Sequence, residues 1–130
     1  ALDGGLITPV LRNVANTDVY EVGRQWQELV GKAKSGTSGP AAYAGGNFTL
    51  SNMGMFGVSA FDAILPPGQG AIIAIGAGIK TVVPIDGMIG VKTMMTVNVT
   101  ADHRHINGDV AAGFLKTLKE VIENPDDLTF

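Results

Sequence analysis

Two short segments of the chain carry residues that can move a proton and hold a developing negative charge. In Asp102-His103-Arg104-His105-Ile106-Asn107-Gly108 a histidine stands between two opposite charges. An imidazole is the side-chain type best suited to take a proton from an attacking nucleophile near neutral pH. In Phe48-Thr49-Leu50-Ser51-Asn52-Met53-Gly54-Met55-Phe56-Gly57 a serine is delivered into a glycine-rich turn. A hydroxyl there can donate to an oxyanion. Taken singly, each segment has a plainer reading: His103 caps a loop or sits in a satisfied polar cluster, and Ser51 and Asn52 make turn hydrogen bonds.

The elements that must position these groups follow from periodicity. Ala71 to Ala77 is an almost unbroken apolar run, fit for a buried strand, and Asn47 to Asn52 is a second, shorter strand. Asp86-Gly87 is a hairpin signal. After it, Ile89, Val91, Thr93, Met95, Val97 and Val99 alternate with mostly polar or small residues as one long strand. The His103 segment follows that strand and precedes a helix from about Asp109 to Glu123, with Val110, Ala111, Phe114, Leu115, Leu118, Val121 and Ile122 on one face; Asn124-Pro125 stops it. Upstream, Gly5 to Leu11 reads as a short or edge strand limited by Pro9. Asp18 with Glu21 resembles a capping box opening a helix to about Lys34, whose apolar face is Val19, Val22, Trp26, Leu29, Val30 and Ala33. Gly54 and Gly57 mark close backbone approach or positive φ. The class is mixed α/β, a mixed sheet flanked by helices. Trp26 and Met53, Met55, Met94 and Met95 are expected to pack as core.

Composition narrows the chemistry. The 130 residues carry 45% apolar and only 16% charged residues, a net charge of −3 and no cysteine. A charged fraction below the usual quarter implies extensive burial, in a core or an interface. Two helices cannot cover such a sheet well, so a partner surface or further chain is expected. The nine basic residues are scattered, which predicts no nucleic-acid footprint. The most apolar stretches are too broken by Gly and Pro for a membrane span. Without cysteine there are no disulfides, thiolate metal sites or thiol nucleophile, and no metal site is expected. The opening Ala1-Leu2-Asp3-Gly4-Gly5 lacks the features of a secretory leader.

Read together and in order, the segments are more specific. Gly-Gly-Leu-Ile-Thr-Pro-Val-Leu-Arg-Asn, Thr-Leu-Ser-Asn-Met-Gly-Met-Phe-Gly, Ile-Leu-Pro-Pro-Gly-Gln-Gly-Ala-Ile-Ile-Ala-Ile-Gly and Met-Met-Thr-Val-Asn-Val-Thr-Ala-Asp-His-Arg span essentially the whole chain. This pattern resembles the catalytic domain of the dihydrolipoamide acyltransferases, core components of the 2-oxo acid dehydrogenase complexes. Phe61-Asp62-Ala63-Ile64-Leu65-Pro66-Pro67-Gly68 and the ending from Glu123 to Phe130 are most similar to the plastid pyruvate dehydrogenase members. Residues 1–130 look like the C-terminal part of that domain. The lipoyl and peripheral-subunit-binding domains are expected to be absent from them, and no lysine stands in the Asp-Lys-Ala context of lipoyl attachment.

The resemblance implies a chloramphenicol-acetyltransferase-like fold assembled as trimers, and acetyl transfer between dihydrolipoamide and coenzyme A. Both thiols belong to the reactants, so a cysteine-free chain is no obstacle. It implies His103 as general base and Ser51 as oxyanion donor, with Asn107 at the sixth position of the family's Asp-His-Arg-x-x-Asp-Gly pattern. An amide there lacks the charge that would favour imidazolium. His105, where an aliphatic residue is usual, makes a decoy with Asp109 at the same spacing; Asp109 instead suits a helix start. The resemblance further implies a site shared between two subunits and trimers forming a large hollow core. Leu128-Thr129-Phe130 would contact a neighbouring trimer. The partners would be the pyruvate dehydrogenase and dihydrolipoamide dehydrogenase components. The lipoyl group would be carried on a domain outside this chain. The compartment would be the chloroplast stroma, with the mitochondrial matrix or bacterial cytoplasm as alternatives. Competing readings are a non-catalytic core component, an acyltransferase of another acyl specificity, and a chloramphenicol-acetyltransferase-like enzyme.

Overall fold

A computed structural model describes residues 4–128. They divide into two compact units, one formed by residues up to Gly46 with those from Glu120 onward, the other by residues 47–119.

In the first unit, helix α1 (Val19–Lys34) begins where the Asp18 carboxylate accepts from the Tyr20 and Glu21 N–H groups, at 2.9 and 3.2 Å. Glu21 turns forward to Arg24 and Gln25, so only the N-cap arm of the expected box forms. The apolar face of α1 is less covered than its pattern implies. Ala33 is buried, but Trp26 remains 47% exposed, so it is not a core residue of this chain. Gly5 to Leu11 is not a strand. Beyond a single bridge residue at Gly5 it is irregular, tied at Val10 N–H to the Ala42 carbonyl. Pro9 lacks a donor, and one isolated bond does not make a ladder.

The second unit holds the sheet. Strands β1 (Phe48–Asn52), β2 (Ala71–Ile75) and β5 (Val97–Ala101) lie in the order β1-β2-β5, β1 parallel and β5 antiparallel to β2. The central strand is buried from Ala71 to Ala74, as an apolar run flanked on both sides requires. Helix α2 (Gly108–Glu123) packs on one face, where Phe114 meets Phe48 with ring centroids 5.9 Å apart.

Strands β3 (Ile79–Ile85) and β4 (Met88–Met94) form a separate antiparallel hairpin. Asp86 (φ 48°) and Gly87 (φ 80°) are both left-handed, as a two-residue turn of the primed type demands. The single long strand expected from Ile89 to Val99 is two strands. The chain leaves β4 at Met94 and enters β5 at Val97, and between them the Thr96 carbonyl accepts from Gly76 N–H at 2.9 Å. Alternation carried on across the break, so it could not reveal a change of sheet. The methionines are not core either: Met53, Met55, Met94 and Met95 are 37–74% exposed, because they sit on the hairpin or in turns that no element covers. Among the described residues no helix is long and apolar enough to cross a membrane.

Candidate active site

His103 stands at the head of a turn between β5 and α2. Asp102 holds that turn. Its N–H donates to the Gly70 carbonyl at 2.9 Å, and its own carbonyl accepts from His105 N–H at 3.2 Å and Ile106 N–H at 3.0 Å. Its carboxylate accepts from Arg104 N–H at 3.0 Å, from Arg104 Nε at 2.9 Å and from Arg104 Nη2 at 2.6 Å. The Arg104 side chain, and then its N–H, hold the Asp102 carboxyl well below the usual carboxylate range. The Asp102 side chain is 14% exposed, against 89% for Arg104. The His103 ring is exposed, and no described residue bonds to it. Asn107 closes the segment at the N-cap position of α2, its carbonyl accepting from Ala111 N–H at 3.1 Å. Asp109 lies in the first helical turn, as expected. His105 leans on Asp102, with Nδ1 3.9 Å from Oδ2.

The Ser51 turn is held differently. Asn52 Oδ1 accepts from Gly54 N–H at 2.8 Å, and Met53 N–H reaches the Ile75 carbonyl at 3.2 Å. A Cβ on Gly54 would stand 3.0 Å from the Gly76 carbonyl oxygen and 3.2 Å from Ala77 Cα; Gly57 has φ +76°. Close approach and positive φ thus fall one to each glycine. Asn52 makes the turn bond. No described residue bonds the half-buried Ser51 hydroxyl, which leaves it available as a donor.

Strand register separates the two groups within one chain. Ser51 is level with Ala74 and Asn98, whereas Ala101, which leads into the His103 turn, is level with Ala71 and Phe48. Three residue levels amount to roughly 10 Å along the strands, and the crossing of β2 adds roughly 10 Å sideways. A hydroxyl and an imidazole serving one carbonyl carbon must each come within about 3 Å of the reacting atoms. Ser51 and His103 of the same chain do not meet that condition.

Two hollows flank the His103 turn. A polar one is bounded by Asn47, Gln69, Gly70, Asp102, Arg104 and His105; an apolar one lies between sheet and α2, against Phe48, Val99, Ile106, Val110 and Phe114. The anchoring Gly70 carbonyl and the Thr49–Gln69 side-chain bond were not legible beforehand. A main-chain acceptor leaves no residue-type signal, and Gln69 showed only as part of a glycine-proline turn.

The family model described as 2-oxoacid dehydrogenases acyltransferase (catalytic domain) matches residues 1–130. The chain is 59% identical over 131 residues to dihydrolipoyllysine-residue acetyltransferase component 5 of pyruvate dehydrogenase complex, chloroplastic, from Arabidopsis thaliana, covering 100% of this chain and 28% of that one. The fold superposes on the dihydrolipoamide acetyltransferase of Azotobacter vinelandii with a TM-score of 0.86 and 31% identity, over 97% of this chain and 52% of that one. That structure concerns the role of a serine, a histidine and an asparagine in the catalytic mechanism of the Azotobacter protein. The structure of the cubic core of the pyruvate dehydrogenase multienzyme complex superposes with the same TM-score of 0.86, at 31% identity, over 97% of this chain and 52% of that one. The chain therefore spans about half of those solved chains and 28% of the Arabidopsis relative.

Proposed function

Since the chain belongs over residues 1–130 to the acyltransferase catalytic-domain family of the 2-oxoacid dehydrogenases, we propose that it is the C-terminal part of that domain and transfers acetyl groups between dihydrolipoamide and coenzyme A. One observation carries the assignment of residues. In the Azotobacter acetyltransferase the serine, histidine and asparagine of the mechanism are 52 and 4 residues apart. Ser51, His103 and Asn107 are also 52 and 4 residues apart. Asparagine at position 107 therefore has a counterpart in a relative whose asparagine is tied to mechanism, and it is no sign of lost activity.

The chemistry needs a base and an oxyanion donor. His103 takes the proton from the coenzyme A thiol as sulfur attacks the carbonyl carbon of the acetyl-lipoyl thioester. The carbonyl oxygen becomes an oxyanion, to which the Ser51 hydroxyl donates. Collapse breaks the carbon–sulfur bond to the lipoyl group, and the leaving thiolate takes its proton from the His103 imidazolium. The separation of Ser51 from His103 in one chain supports a site built by two copies, His103 from one and Ser51 from its neighbour in a homotrimer. Exposed apolar residues on α1, α2 and the hairpin support large interfaces. The relatives' names support a multienzyme core of a pyruvate dehydrogenase complex and a chloroplast location; a hollow core, pyruvate dehydrogenase and dihydrolipoamide dehydrogenase components as partners, and the stroma as its place are the finer parts of the proposal. The lipoyl group arrives on a domain outside residues 1–130. Of the apolar tail expected to join trimers, Leu128 is 40% exposed, and Thr129 and Phe130 lie outside the described residues.

Subunit mixing tests this reading. His103→Ala and Ser51→Ala enzymes, each nearly inactive alone, should regain activity when dissociated together and reassembled. In a random mixture of equal parts about one site in four receives an intact histidine and an intact serine from different copies. Mixed cores that stay as inactive as the single variants would defeat the shared site.

A further inference from the structure

We propose that Asp102 is a positioning residue that aims the His103 imidazole, by closing two turns around it and tying both to the end of β2. This rests on His103 being the base.

The geometry singles out Asp102. Its carbonyl accepts from His105 and Ile106, so His103 and Arg104 form the centre of a backbone turn that begins at Asp102. Its carboxylate accepts from Arg104 N–H, a second turn over the same residue made by the side chain. Both turns enclose the φ and ψ of His103. The Asp102 N–H then fixes the assembly to Gly70, the residue just before the buried strand β2. The forked pair with Arg104 holds the carboxylate oxygens in one orientation, which a single-point lysine contact would not do. The His103 ring has no bond of its own to any described residue, so its direction depends on this backbone. A misplacement of about 1 Å at a reacting group can cost on the order of a hundredfold in rate.

The test is a graded series in the assembled enzyme carried by the complete subunit. Asp102→Asn keeps the turn acceptor and loses the charge pair; Asp102→Ala loses both. The expected result is a kcat lowered about tenfold for the first and about a hundredfold for the second, with KM for coenzyme A within about twofold and the core still sedimenting whole. Wild-type kcat in both variants, or a loss confined to KM, would overturn the proposal. If Asp102→Ala does not assemble, an assembled Asp102→Asn enzyme decides it: lowered kcat supports the role and unchanged kcat removes it. Failure of both to assemble would make Asp102 a folding residue only. The underlying reading fails by a separate signature: a His103→Ala enzyme that keeps its kcat removes the base and the positioning role with it. An inactive His103→Ala enzyme beside a full-rate Asp102→Ala enzyme removes the positioning role alone.

Discussion

The turn that carries His103 and the turn that follows Ser51 sit at opposite ends of the same strands and are held by opposite means. The first is fastened by a carboxylate forked with a guanidinium, on a loop open to solvent. The second is fastened by closeness: Gly54 fits against Gly76 and Ala77 because it has no Cβ, and Gly57 takes a φ that L side chains avoid. A charge-fastened turn can present a ring that nothing else touches. A steric turn sets a hydroxyl against a rigid backbone, as a preorganised oxyanion donor requires. The two should therefore respond to different perturbations, the first to loss of charge and the second to added volume.

The largest expected effect tests the functional end of each turn. His103→Ala should lower kcat by about a hundred- to ten-thousandfold with assembly intact. Ser51→Ala should lower it by about a hundred- to a thousandfold with little change in KM. His105→Ala, on the same turn as His103, should cost far less, and a dead His105→Ala enzyme beside an active His103→Ala enzyme would reverse the assignment. Next comes volume. Gly54→Val should destabilise the fold by about 1–3 kcal/mol, read as a lower denaturant midpoint, because the neighbour it meets is backbone and cannot swing aside. An unchanged midpoint would show that the Ser51 turn is not sterically fastened.

The smallest effect is electrostatic. Asn107→Asp adds a carboxylate to the His103 segment, and a nearby carboxylate favours imidazolium, so the acid limb of the pH–rate profile should move to higher pH. Asp102 cannot produce that limb. Its folded-state value is depressed, so its contribution is complete above its unfolded value of about 3.9 and is lost only as pH falls through the lower folded value. A profile that Asn107→Asp leaves in place would separate Asn107 from the base.

Local signals in the sequence translated well into structure. Asp86-Gly87 turned as its two left-handed residues require, Asp18 capped α1, and the apolar run from Ala71 became the buried strand. The His103 and Ser51 segments were legible for the same reason, since each is a strand end followed by residues with special backbone needs. What was hidden depended on partners distant in sequence. The break at Met95-Thr96 arises because β4 pairs with β3 and β5 with β2, a choice that alternation cannot register. Trp26 and the four methionines read as core because helical spacing and apolarity do not say whose surface covers them. Asp102 is legible as a charged neighbour of His103, but Gly70 as its anchor comes only with the fold.

The β3–β4 hairpin carries a consequence for how the chain matures. Its partners lie 3 to 15 residues apart in sequence, whereas those joining β2 to β5 lie 22 to 30 apart. Short loops close first and such ribbons zip in roughly 1–10 μs, so the hairpin should exist before the sheet that holds the site. It then shows water an apolar ribbon on both sides, with Val82, Ile89 and Val91 64–85% exposed on one and Met88 72% exposed on the other. Lys80 lies opposite Thr93 and Lys92 opposite Thr81, which puts one lysine on each side of the ribbon. A charge on each face breaks up an exposed apolar ribbon, the device by which such strands avoid edge-to-edge aggregation, so Lys80→Val with Lys92→Val should make the chain more prone to aggregate while it folds.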